Sequence, residues 1–268
     1  MATKMPRVRS FGGRTPTGIS RLIALVVGVA LALVLVVMQA SPRPAYAASD
    51  RLPDLRRAQL EKLKIESSNG RKLLRFNSII VNVGAGRFEA RGSRPDTNTA
   101  QMRVTQRIYN DAGGYRNRAT PAKMYYAGDG HDHWHVRDLQ QYNLIRLYNG
   151  VKVRTGAKHG FCFYDNYEFG ATQPAYYTRR GGACGERSDL RVKMGLSRGW
   201  GDKYRWSLPD QYIDITGLPS GRYRMRATAD PSDWFSERNN TNNFTWVDIK
   251  IRGTSVSVIR HGPSAQPI

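Results

Sequence analysis

Cysteine and histidine are both scarce in this chain: its 268 residues include two cysteines and five histidines. Two cysteines are too few for a disulfide framework, so the fold must rest on an ordinary apolar core. Acidic residues are also in short supply, with 21 Asp and Glu against 42 Lys and Arg. Long apolar runs are missing apart from Leu22–Met38, and no internal repeat is visible.

That single run sits in a recognisable frame. Lys4, Arg7, Arg9, Arg14 and Arg21 precede it, no acid occurs before Asp50, and "PRPAYAAS" follows with an Ala-x-Ala site at Ala45–Ala47. A positive head, an apolar middle and a small-residue site form the pattern of a secretory signal, expected over residues 1–47. A run of this length is also at the short limit of a spanning helix, so an uncleaved membrane anchor stays open. Either reading puts the remainder outside the cytoplasm, secreted or anchored and facing outward. The length of that remainder suits one β-rich domain, expected over 48–260, with a flexible tail at 261–268.

The leader holds six of the 42 basic residues and none of the acids, so the remainder carries a formal charge near +15. Outside a cell, such a surplus attracts polyanions: a cell-wall polymer, an anionic membrane surface or an acidic protein. Simple solubility explains it equally well. Nucleic acid is not implied, because no basic helix or interleaved aromatic stripe stands out. Cys162 and Cys184, an even pair in an exported chain, are expected to form one disulfide worth about 3 kcal/mol by loop closure.

The body of the chain reads as short strands between turns. Asn69-Gly70 and Asn149-Gly150 each separate two alternating runs, a hairpin signal. "SIIVNVGAG" reads as a further strand. "QYIDITGLPSGRYRMRATADPS" gives strand, Pro-Gly turn, strand, with Tyr223, Met225 and Ala227 on one face. "FTWVDIKIRGTSVSVI" closes the domain with a strand pair. The one helix candidate is "LPDLRRAQLEKL". Arg91–Tyr125 and Tyr164–Trp206 show little periodicity and are expected as long functional loops. The expected class is mainly β: a β-sandwich core with irregular loops gathered around a metal site.

Three of the five histidines fall in "GDGHDHWH", at His131, His133 and His135. On a strand, residues at i, i+2 and i+4 share a face, roughly 6.6–7 Å apart, and a slight bend lets three imidazoles converge on one ion. Neutral imidazoles suit copper or zinc better than calcium or magnesium, and the spacing does not choose between the first two. With zinc, three histidines and an open position would be a hydrolase pattern.

"HDHWH", followed in order by "GAKHGFCF", "GLSRGWGDKY" and "QYIDITGLPSGRY", resembles the catalytic domain of the lysyl oxidases. The likeness runs from roughly Leu52 to Gly253. It implies a secreted copper enzyme that oxidises primary amines, lysine on proteins or peptides, to aldehydes with release of ammonia and hydrogen peroxide. It further implies copper on His131, His133 and His135, and a lysine tyrosylquinone cofactor made from Lys158 and Tyr204. The chain departs from the pattern in its single cysteine pair and in "YYAGDG", which stands where the family has a further histidine. The loop from Cys184 to Gly195 is also longer than the pattern. Asp132 lies within the histidine segment and Asp138 just after it, and the sequence does not say whether either is the catalytic base.

"SERNNTNN" offers the oxygen donors Glu237, Asn239, Asn242 and Asn243, of the kind calcium takes. It resembles a family calcium site completed by an Asp-Leu pair, here Asp54 and Leu55. The family usually has aspartate where Asn239 stands, and an Asn-rich turn is the plain alternative. "RATADPSDWFSERNNTNN" also resembles the closing strands of Ig-like adhesion modules, leaving a non-catalytic binding module as a competing reading. A strongly basic surface would repel small cationic amines, which favours lysines carried on polymeric or acidic targets.

Overall fold

The computed structural model describes residues 48–127, 132–158 and 160–268. The leader expected over 1–47, and His131 of the histidine triplet, lie outside the described residues.

The described chain is built from strands, as the mainly β expectation required, in three antiparallel sheets. One runs in the order Gly160–Phe161, His133–Arg137, Tyr115–Ala127, Gln101–Asn110, Phe88–Ser93, Arg191–Leu196, with Asp50–Arg51 also paired to Gln101–Asn110. A second runs Lys152–Thr155, Gln140–Arg146, Gly221–Ala229, Phe244–Arg252, Ser255–His261. The third is organised on Arg71–Asn82, which pairs with Leu55–Arg57, Glu61–Ser68, Trp200–Tyr204 and Tyr212–Asp214. All three contribute to one apolar core, where Phe76 of the third sheet meets Tyr142 of the second at 4.9 Å between ring centroids. A smaller cluster of Ala58, Ile79, Val81, Phe169 and Ala265 lies beside it. Ala265 belongs to the stretch expected as a tail, and its N–H donates to the Arg57 carbonyl at 2.8 Å.

The Asn69-Gly70 turn forms as read: Ser68 opposes Arg71, and both turn residues have positive φ, 49° and 74°. Two consecutive left-handed residues match the right-handed twist of the flanking strands, which is why Asn-Gly suits the position. The Asn149-Gly150 hairpin also forms, between Gln140–Arg146 and Lys152–Thr155. Tyr223, Met225 and Ala227 are buried on one face of their strand.

Four expectations need correction. The helix candidate is instead two strands, Leu55–Arg57 and Glu61–Ser68, because its N–H groups go to distant partners. Asp54 donates to Asn82 Oδ1 and Leu55 to Glu237 Oε2, leaving no i−4 ladder to propagate. "SIIVN" is not a separate strand but the second half of Arg71–Asn82, whose central Asn77 and Ser78 are buried yet hydrogen-bonded. Tyr212–Asp214 does not pair with Gly221–Ala229 across the Pro-Gly turn; it joins Arg71–Asn82. The stretch from Arg91 to Tyr125 is largely a long hairpin of Gln101–Asn110 and Tyr115–Ala127. Its alternation was hidden by Gln106, a buried residue on the apolar face whose amide exchanges two hydrogen bonds with the Ser236 backbone, at 2.8 and 2.7 Å.

Candidate metal and lysine–tyrosine site

His133 and His135 lie on strand His133–Arg137, with His133 half-buried, His135 buried, and Trp134 fully buried on the opposite face. Strand alternation does this: Trp134 fills the core, and its neighbours must then point the other way. Their Nε2 atoms stand 2.9 Å apart. Two nitrogens each about 2.0–2.1 Å from one ion and at a right angle would lie about 2.9 Å apart, so the pair fits two adjacent ligands of a single tetragonal copper ion. Among the described residues no group of three or more His, Cys, Asp or Glu side chains is assembled. Tyr125, directly across the strand pair from His135, sets its ring edge-on to that imidazole at 5.8 Å. Asp132 is exposed, and Asp138 sits exposed at a tight turn with φ 56°.

The histidine strand is tied to the rest of the site by two connections. On one edge, Phe161 pairs with Val136. Elsewhere, Trp134 N–H donates to the Cys184 carbonyl at 2.9 Å, and its indole N–H to the Glu186 carbonyl at 2.8 Å. Cys162 and Cys184 are disulfide-bonded as expected, with Cα atoms 5.7 Å apart.

Lys158 and Tyr204 are 46 positions apart in sequence, and the fold brings them together. Both are buried, and Lys158 Nζ lies 5.2 Å from the centre of the Tyr204 ring and 5.5 Å from that of Phe161. Tyr204 comes from strand Trp200–Tyr204, hydrogen-bonded to Arg71–Asn82. Its hydroxyl is held at both faces of one residue, accepting from Cys162 N–H at 2.9 Å and donating to Cys162 C=O at 3.0 Å. Burial first, then the neighbouring Asp202 carboxyl, push this phenol well above its ordinary range and keep it protonated. Lys158 borders a cavity of about 290 Å³ shared with Asp138, Gln140, Tyr142 and Trp234.

Sequence reading missed the polar group beneath this pair. Asp202 is fully buried on the Tyr204 strand, two positions before the tyrosine and therefore on its side of the sheet. Its Oδ1 accepts from Asn166 at 2.6 Å, while Oδ2 has no hydrogen-bond partner among the described residues. Burial raises its carboxyl well above the ordinary range, although the Asn166 hydrogen bond and the positive charges of Lys158 and Arg57 pull the other way. Arg57 is itself fully buried, donating to Gln140 and Ser78, and burial lowers its pKa. Tyr142 donates to Ser78 at 2.8 Å and completes the set. The sequence carried little signal for it: Asp202 stands beside Lys203 in a short mixed strand, and only its burial marks it out.

At a separate place the structure assembles the candidate calcium donors. Glu237 Oε2 accepts from Leu55 N–H at 2.5 Å, Asn243 donates to Glu237 Oε1 at 2.9 Å, and Asn242 Nδ2 is 3.4 Å from Asp54 Oδ2. Asp54 Oδ1, Asn242 Oδ1 and Asn243 Oδ1 are buried without a hydrogen-bond partner among the described residues. Orphaned buried oxygens are costly, and a hard cation satisfies several at once, so this donor set fits calcium. Burial first, then the nearby Asp230 and Asp54, raise the Glu237 carboxyl well above its ordinary range. Asn239 is exposed, and its Oδ1 instead accepts from the Thr241 N–H and hydroxyl.

Comparison with known proteins agrees with the order of the motifs. A family profile described as lysyl oxidase matches residues 86–261. The chain is 29% identical over 157 residues to the protein-lysine 6-oxidase of Gallus gallus, covering 58% of this chain and 35% of that protein. It is 29% identical over 153 residues to the human protein-lysine 6-oxidase, covering 57% and 34%. With the lysyl oxidase homolog 2 of Bos taurus it shares 29% over 143 residues, covering 53% and 17%. The chain thus aligns with about a third or less of the length of these curated relatives.

Proposed function

This chain belongs to the lysyl oxidase family, and from that premise we propose that it is a copper- and quinone-dependent oxidase of primary amines acting on peptidyl lysine outside the cell. The overall change balances as R–CH2–NH2 + O2 + H2O giving R–CHO + NH3 + H2O2. The observation that carries the reading is the meeting of Lys158 and Tyr204 in one buried pocket.

His133 and His135 would hold the copper together with His131, and Lys158 and Tyr204 would furnish lysine tyrosylquinone. When bound, the metal and the quinone supply the two-electron oxidation of the amine and the passage of those electrons to dioxygen.

The chain's own groups have definite tasks around them. The Cys162 backbone fixes the Tyr204 hydroxyl from two directions, orienting one phenol among fourteen tyrosines. For Lys158 to serve as a nucleophile it must surrender a proton. Asp202 is the acceptor in this reading: a neutral acid and a neutral amine are cheaper to bury than two separated ions. The nearby Arg57 guanidinium favours the ionised form of Asp202 and so limits the rise that burial causes. Phe161 and Tyr142 keep the pocket dry on the core side. The cavity beside Lys158, lined also by Gln140, Tyr142 and Trp234, is the approach for a substrate lysine.

Asp54, Glu237, Asn242 and Asn243 would hold a structural calcium, with the Leu55 backbone beside them. Intact mass and visible absorption of copper-loaded protein test the main reading. A quinone band with a Lys158–Tyr204 cross-linked peptide is the expected result. A colourless zinc protein without cross-link would favour a hydrolase, and a metal-free one a binding module.

A further inference from the structure

We propose that the cleft of about 610 Å³ lined by Arg51, Arg87, Arg198, Tyr109 and Tyr176 is a docking site for an acidic stretch of polypeptide. Arg87 is the centre of it. Its guanidinium carbon lies over the ring of Tyr109 at 4.7 Å and over that of Tyr176 at 4.3 Å, in contact with both. A guanidinium stacked by its faces keeps its N–H groups in the open plane, the geometry that grips a carboxylate with two parallel hydrogen bonds.

The three arginines make no side-chain hydrogen bond or ion pair among the described residues, whereas the nearby carboxylates are engaged elsewhere. Glu89 accepts from Arg91 at 2.7 Å, Tyr109 at 2.8 Å and Tyr177 at 2.7 Å. Asp50 pairs with Arg116, and Asp111 accepts from the Ser49 N–H at 2.9 Å. Among the described residues, then, none of these carboxylates is paired with the three arginines that line the cleft.

The wall is also held in place before any ligand arrives. The buried Asp165 accepts from the N–H groups of Tyr176 and Ser197, at 2.8 and 2.9 Å, and from the Ser197 hydroxyl at 2.7 Å. Gly86 permits the opposite wall, since a Cβ there would come within 1.9 Å of the Arg51 carbonyl. Ala85, Pro174 and the two tyrosines give the cleft apolar surface that an isolated oxyanion does not need and a peptide does. The choice of a polypeptide as the carrier rests on the peptidyl-lysine reading above; the binding itself needs no turnover.

The experiment uses the full chain and a lysine-free, fluorescein-labelled oligoglutamate, followed by anisotropy as salt is varied. Saturable binding is expected, with Arg87→Ala weakening it about tenfold, the loss of one charge-assisted bidentate contact. Arg87→Lys should lose most of the affinity too, because an ammonium has no fork. Arg198→Ala, at an exposed position, is the second variant should Arg87→Ala fail to fold. Arg252→Ala, exposed and outside the cleft, removes the same charge and should leave binding unchanged. Equal losses from Arg252→Ala and Arg87→Ala, or no saturable binding, would overturn the proposal. So would tighter binding by polyphosphate with the same Arg87 dependence, which would make this a phosphate site. A protein that bound oligoglutamate but oxidised no amine would retire the oxidase reading and leave the docking site standing.

Discussion

The Tyr204 hydroxyl and the Cys162 peptide group hold each other twice, the phenol accepting from the N–H at 2.9 Å and donating to the C=O at 3.0 Å. One residue of a disulfide thereby aims the tyrosine. Replacing both cysteines with alanine should cost about 3 kcal/mol in urea unfolding, the loop-closure value for a bridge of this span. It should also loosen Tyr204, read as faster solvent quenching of tyrosine fluorescence in the double variant than in Tyr204→Phe carrying the same change.

Lys158→Arg and Tyr204→Phe should each retain copper and lose peroxide production from an amine substrate. A guanidinium cannot replace the lysine amine, and phenylalanine has no phenol to oxidise. Copper content by mass spectrometry alongside a peroxidase-coupled assay checks both. Peroxide output at the parent's rate from either variant would break the assignment.

Asp202→Asn separates stability from chemistry. A carboxyl whose folded pKa is raised binds its proton more tightly in the folded state, so it contributes most below its ordinary value of 3.8 and opposes folding as pH climbs above it. The asparagine variant should thus melt higher than the parent at pH 7 and show a flatter pH dependence. Its Lys158–Tyr204 cross-link, followed by peptide mapping after copper addition, should form more slowly. An unchanged cross-linking rate would remove Asp202 from the mechanism.

Glu89 has the opposite sign. Burial pushes its carboxyl upward, but hydrogen bonds from Tyr177, Arg91 and Tyr109 outweigh that and hold it below its ordinary value of 4.5. Its contribution is present above pH 4.5 and lost as pH falls through the lower folded value. Glu89→Gln should reduce the melting temperature at pH 7 and narrow the gap from the parent under strong acid, measured by thermal scans across pH.

Calcium should raise the melting temperature of the metal-stripped parent, since a ligand bound only by the folded state stabilises it by mass action. Asp54→Ala and Asn243→Ala should abolish that rise. Asn239→Ala should keep it, because the Asn239 side chain caps the Thr241 turn instead.

What was legible in the sequence was local and periodic. The alternation of His133, Trp134 and His135 marked one strand, and Asn69-Gly70 marked the separate hairpin of Glu61–Ser68 and Arg71–Asn82, because both follow from backbone geometry alone. The helix candidate failed because Leu55 and Glu237, 182 positions apart, settle where the Leu55 N–H goes. Gln106 hid a strand because its partner is the Ser236 backbone, again far away in sequence. Lys158 and Tyr204 were found through flanking motifs, not through any property of a lysine in so basic a chain. Asp202 was invisible for a related reason: a buried carboxylate is unusual only once its surroundings are known.

The single disulfide closes a circuit. Cys184 carries the strand of His133 and His135 through the Trp134 N–H, and Cys162 carries Tyr204 through its phenol. Under the copper reading proposed above, oxidative folding is expected to precede metal loading. A chain kept reduced would lack the covalent tie between the histidine strand and the segment that holds Tyr204. For anyone producing this chain to test the copper proposal, thiol oxidation belongs before metal addition.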